Sequence, residues 1–139
     1  GTHGYSSGGS APPQGNIIDK FPFSADANAT DVGDLTLAKD AGAGQSSTSN
    51  GYTAGGTPFS VGTVIDKFSF STDANATDVG DLTVNRSYVA GQSSGSHGYS
   101  SGGQTNQNII DKFPFSADAN ATDVGDLTQS RNAGSGQQG

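Results

Sequence analysis

The chain has 139 residues, a length that suits one domain, but only 30% of them are hydrophobic, 14% are charged and 22 are glycine. A net charge of −7, with only six lysines and arginines, argues against binding a phosphate backbone, which needs clustered cations. The absence of cysteine removes disulfides, thiolate metal sites and any cysteine nucleophile, and no apolar run reaches the roughly 18–20 residues of a membrane helix. No charged-then-apolar leader opens the chain, which begins with Gly1, so a processed product or an excised piece is expected. Composition alone would predict a flexible low-complexity chain. The apolar residues nevertheless cluster at fixed places, as in "NIIDKFPF" and "VGDL", and that pattern predicts an ordered repeat.

In chain order, the first predicted element is "HGYSSGG", a strand of small residues stopped by a glycine pair; "NGYTAGG" takes its place in the middle of the chain. Next comes "NIIDKFPF" (later "TVIDKFSF" and "NIIDKFPF"), whose alternation puts Ile17, Asp19, Phe21 and Phe23 on one face and Ile18, Lys20 and Pro22 on the other. Pro22 and Pro114, replaced by Ser69 in the middle copy, predict a bulge or a ladder end there. A third strand is expected in "ATDVGDLT", and a fourth from the following basic residue to "AGQSS". Nothing carries a sustained helical period, and the glycine content penalises helix throughout.

These elements recur as three units, 1–47, 48–94 and 95–139. "DANATDVGDLT" stands unchanged from Asp26, Asp73 and Asp118, at offsets of 47 and then 45 residues. The shortening falls where "SAPPQG" and "TPFSVG" give way to "QTNQ", which marks a surface loop because a strand would lose register. Four short strands per unit of this size predict propeller blades, with a β-solenoid or filament of stacked units as the rival. The chain starts at a second strand, and "RNAGSGQQG" corresponds to a first strand. The first blade is therefore expected to be completed by residues 131–139 of another chain, two chains giving six blades. An open array would polymerise instead, and a piece cut from a longer array is the remaining alternative.

The run of basic residue, "GYSSGG", "IDKF" and closing "DVGDLT" resembles the kelch repeat, whose second strand ends in a glycine pair and whose third is aliphatic–aromatic with an aspartate. It departs from that pattern in lacking the fourth-strand tryptophan, with Val32, Val79, Val124 or the neighbouring leucines in its place. The wording is also similar to divergent kelch-like arrays ending "FGDLT" in virion and tail proteins of marine phages. The resemblance implies an all-β propeller. The copper oxidases among kelch relatives need a cysteine-linked tyrosine, and this chain has no cysteine.

Candidate residues recur in register. Asp19, Asp66 and Asp111 share a face with the phenylalanines, so each needs a cationic partner, and Lys39, Arg86 and Arg131 are the expected set. The competing acid–base reading lacks a second carboxylate set at a credible site. His3, Asn50 and His97, with Tyr5, Tyr52 and Tyr99, form a binding set if the tyrosines face a channel and hold a sugar, and blade packing otherwise. Asp26, Asn28, Asp73, Asn75, Asp118 and Asn120, with Thr30 and Asp31, resemble part of a calcium loop, but the expected glycine and distal glutamate are missing; a self-capping turn is the competing reading. Asn28, Asn75 and Asn120 each open an N-A-T sequon, and Asn85 opens a fourth.

The sequence thus predicts a non-enzymatic, cofactor-free scaffold of structural or adhesive role, with specificity in the loops where copies differ. A carbohydrate-binding propeller and an extracellular filament subunit are the alternatives. The expected partners are a second copy and a glycan or cell-surface ligand, with neither nucleic acid nor membrane insertion. The expected setting is extracellular or virion-associated, and the near-identity of units points to recent duplication or engineering.

Overall fold

A computed structural model describes residues 1–10, 15–104 and 107–139. Its strands run β1 His3–Ser7, β2 Ile17–Pro22, β3 Thr30–Asp34, β4 Ala43–Ser46, β5 Asn50–Ala54, β6 Val64–Ser69, β7 Thr77–Asp81, β8 Ala90–Ser93, β9 His97–Ser101, β10 Ile109–Pro114 and β11 Thr122–Asp126. A single 3-10 turn, Phe59–Val61, interrupts the connection from β5 to β6. The fold is all-β.

The strands form three antiparallel meanders, β1-β2-β3, β4-β5-β6-β7 and β8-β9-β10-β11. Among the described residues no strand is shared between sheets, and they close neither a barrel nor a ring. The first sheet has three strands, as expected of a chain that starts at a second strand, and residues 131–139, the fourth piece of the third unit, form no strand. The predicted fourth piece is a short strand, but it opens the next sheet. β4 and β8 lie at the ends of the first two sequence units and belong to the second and third sheets. β1 is left as a sheet edge.

The glycine pair after each second-type strand stops the ladder because both residues take φ values that side chains disfavour: 68° and 122° at Gly8 and Gly9, 71° and 125° at Gly55 and Gly56. Pro22 and Pro114 close their strands opposite His3 and His97, a ladder end where the missing N–H does no harm. The bulge lies in the facing strands, where Val32, Val79 and Val124 are the extra residues opposite Ile18–Asp19, Ile65–Asp66 and Ile110–Asp111. It does not invert the alternation. Ile65 packs toward the third sheet with Phe113 and Ala121, whereas Phe68 packs toward the first with Ile18 and Leu35.

Two apolar clusters follow, one at each junction between sheets. Ile18, Leu35, Phe68 and Ala76 are buried between sheets one and two; Tyr52, Ala54, Ile65, Leu82, Phe113 and Ala121 between sheets two and three. Burying each large side chain contributes about 1.5–3 kcal/mol. Concentrating buried side chains at these two junctions lets a chain only 30% hydrophobic hold together.

Candidate recognition face

A meander of four strands sends alternate connections to opposite ends of its sheet. At one end lie the β2–β3, β6–β7 and β10–β11 connections, "FSADANA", "FSTDANA" and "FSADANA", which differ at a single position. At the other end lie the β1–β2, β5–β6 and β9–β10 connections together with β3–β4, β7–β8 and residues 127–134. There the copies diverge. Residues 11–14 and 105–106 of the two outer loops lie outside the described residues.

The uniform end is occupied with holding neighbouring sheets together. Lys20 Nζ meets Asp73 Oδ1 at 2.5 Å, and Lys67 Nζ meets Asp118 Oδ1 at 2.5 Å. Asn75 Oδ1 accepts from the Asp34 N–H at 3.0 Å, and Asn120 Oδ1 from the Asp81 N–H at 3.1 Å. Asp31, Asp78 and Asp123 each accept from the N–H two residues ahead, in self-capping turns. Of the oxygens considered for calcium, those of Asp73, Asn75, Asp118 and Asn120 serve inter-sheet contacts and that of Asp31 a turn, and no cluster of three carboxylates or histidines forms a metal site among the described residues.

The carboxylates on the phenylalanine face are deeply buried. Lys39 Nζ lies 2.8 Å from Asp66 Oδ2, and Arg86 Nη2 lies 2.7 Å from Asp111 Oδ2, with all four side chains at most 1% exposed. Arg86 also donates to the carbonyls of Gly102, Ile109 and Ser100. Burial pulls its guanidinium below the ordinary value, against the opposing pull of Asp111. A hydroxyl from the preceding unit completes each pair: Thr36 donates to Asp66 and Thr83 to Asp111. Those threonines were not singled out in the sequence, though each follows "DVGDL" in register. Asp19 and Arg131 have no ion-pair partner among the described residues.

Two of the three tyrosines of the candidate binding set pack at the junctions. Tyr5 stacks on Phe70 at 4.8 Å and lies 5.5 Å from Phe68; Tyr52 stacks on Phe115 at 4.9 Å and lies 5.5 Å from Phe113. Among the described residues Tyr99 has only His97 as a ring neighbour, at 6.5 Å. His3 and His97 hydrogen-bond to the adjacent Thr2 and Ser96, and Asn50 caps a turn with Ser47 and Ser49. His3, Tyr5 and Tyr52 share one cleft of about 410 Å³; Asn50, His97 and Tyr99 stand outside it.

Burial pushes the Tyr52 hydroxyl above its ordinary 10.0, and the hydrogen bond to Asp73 raises Lys20. Raised folded values make both contributions complete below the unfolded pKa and lost as pH rises through the folded one. The thermal midpoint should therefore hold to about pH 9 and fall above about pH 10, and Tyr52→Phe should blunt the fall. A pH series of melting curves checks this.

The divergent end is built differently. The β3–β4 loop is tied to the β5–β6 loop by an Asp40–Thr57 bridge, and the β7–β8 loop meets the next by Ser87 Oγ donating to Gln104 Oε1 at 3.0 Å. Asn85 donates to the Phe59 carbonyl, and the Arg86 N–H to Gly62. Val61 anchors the 3-10 turn in the core while Phe59 stands 80% exposed, and Tyr88 is 46% exposed at φ 55°. A shallow pocket of about 180 Å³ lies between Thr57, Phe59, Asn85 and Gln104. Sequence reading located these loops through their variation but singled out neither aromatic ring; the signal was an aromatic residue present in one unit and absent from the matching place in the others.

No protein-family model matches the chain, and no curated protein sequence matches it.

Proposed function

We propose that the chain is a kelch-like propeller array acting as a non-enzymatic structural or adhesive scaffold, with its recognition surface at the divergent loop end. One observation carries this reading: the units differ chiefly at one end of the sheets, whereas the other end and the junction residues repeat. The carboxylate–cation pairs are at most 1% exposed, which suits a structural role. The four-stranded meander, the glycine pairs and the side-by-side contact of β4 with β8 support the propeller reading. No helix among the described residues is long and apolar enough to cross a membrane, and a chain free of cysteine and methionine suits an extracellular or virion-borne setting.

A specific observation favours a glycan as ligand. Phe59 offers an exposed ring beside the polar groups of Asn85 and Gln104, a combination that fits a sugar face and its hydroxyls. Labelled protein applied to a glycan array, alongside the Phe59→Ala variant, tests both readings. Sugar binding that weakens about tenfold or more in Phe59→Ala, at unchanged melting temperature, supports the lectin reading. Binding to whole cell or virion surfaces but to no free glycan supports the adhesive scaffold. Binding that is indifferent to Phe59 and Tyr88 substitutions removes this loop end as the recognition surface.

A further inference from the structure

Both junctions inside the chain are built from the same residues, and each outermost sheet carries one unused half of that junction. Sheet two receives sheet one through Phe68, Phe70, Asp73, Asn75, Ala76 and Asp66, and sheet three receives sheet two through the matching Phe113, Phe115, Asp118, Asn120, Ala121 and Asp111. Sheet one carries the same receiving set, and it faces solvent. Phe21 is 37% exposed where Phe68 and Phe113 are 7% and 1%, and Phe23 is 65% exposed. Ala29 is exposed where Ala76 and Ala121 are buried, and Asp19 lacks the cation that Asp66 and Asp111 have. Sheet three carries the unused donating set: Tyr99, Lys112, Thr128 and Arg131, with Val124 46% exposed. Gly33 and Gly80 leave no room for a Cβ, which would lie 2.5 Å from the carbonyl oxygens of Ala74 and Ala119; the matching Gly125 has nothing within 4 Å.

The strand edges follow the same rule. β8 lies beside β4, with the Tyr88 N–H donating to Ala41 at 2.7 Å and the Ser46 N–H to Ser93 Oγ at 2.9 Å. Residues 131–138 lie beside β8 in the same way, with the Ala133 N–H donating to Tyr88 at 2.8 Å and the Ser93 N–H to Gln138 Oε1 at 3.2 Å. Ala41, Tyr88 and Ala133 share φ values of 54°, 55° and 51°. Residues 131–138 are therefore set as the first strand of a further sheet, and β1 is the edge of a sheet without one.

We infer that a second copy of this chain docks head to tail: sheet three of one copy seats on sheet one of the other, and residues 131–138 add to β1. Arg131 and Thr128 of one copy then hold Asp19 of the other, and Lys112 meets Asp26. The opposite charges and the matched residue types select a second copy over an unrelated occupant. The ring reading enters only for copy number: with three units per chain, two copies give six sheets, the only multiple of three within the roughly four to eight of propellers.

Light scattering and native mass spectrometry of the chain at micromolar concentration test this. The expected result is a discrete species at twice 13.8 kDa. Ala29→Arg alters a residue exposed in the single chain and should give a folded monomer. Asp19→Arg and Arg131→Asp should each weaken pairing by at least about tenfold, and mixing the two variants should yield a heterodimer with one native and one charge-reversed junction. A folded monomer from the unaltered chain overturns the inference and leaves the proposed function standing. Open-ended polymer overturns both the closed pair and the ring. Dimers indifferent to Ala29→Arg place the interface elsewhere and overturn the docking surface.

Discussion

Replacing Arg86 with alanine is expected to lower unfolding free energy by about 3–5 kcal/mol, because Asp111 stays buried as an uncompensated charge. The loss is compounded by the carbonyls of Gly102, Ile109 and Ser100, which surrender their donor. Thr83 still donates through its side chain and its N–H, so Asp111 keeps two hydrogen bonds but no cation. Arg86→Lys should cost less, about 1–3 kcal/mol, the scale of two lost hydrogen bonds, since Lys39 in the matching place keeps its carboxylate and one carbonyl. Urea denaturation of the three proteins checks the order. An alanine variant within 1 kcal/mol of the unaltered protein would mean that the pair does not hold the sheet.

Phe113→Ala is the second large effect, about 3–5 kcal/mol, since it removes a ring that is 1% exposed and packed on Tyr52. Phe21→Ala makes the contrast, because the same residue type in the same register is 37% exposed in the single chain. In the Ala29→Arg background, Phe21→Ala should cost no more than about 1 kcal/mol. In the unaltered protein its cost should climb toward that of Phe113→Ala and should depend on protein concentration, as expected when burial is supplied by a second copy. Calorimetry at two concentrations separates the cases. Equal and concentration-independent losses for Phe21 in both backgrounds would contradict the docked arrangement.

The sequence made the strands legible because the repeat supplied three readings of each. Alternation in "NIIDKF" put Asp and Phe on one face, and the structure has Asp66 and Phe68 both turned to the preceding sheet. The glycine pairs announced strand ends. The bulge opposite Ile65 and Asp66 was not legible from alternation; its signal is Gly80 inside β7, at φ 154°. Nor was the partner of each DANAT aspartate. Lys20 reaches Asp73 across 53 positions of chain, and no local pattern encodes a contact made by packing whole sheets side by side. For the same reason the sequence could name the cations awaiting Asp19, Asp66 and Asp111 without saying which belonged to which. At the divergent end, variation marked the loops, but the exposure of Phe59 depends on Val61 facing inward from the same short turn.

The uniform end has a consequence for how such a chain grows. Each junction uses the same contacts whichever two units meet, so the surface that recognises a neighbour does not record that neighbour's place in the order. A unit can be duplicated or deleted whole without any contact having to be reinvented. The loops at the far end are meanwhile free to drift one unit at a time. Length and surface specificity thus become separately adjustable quantities.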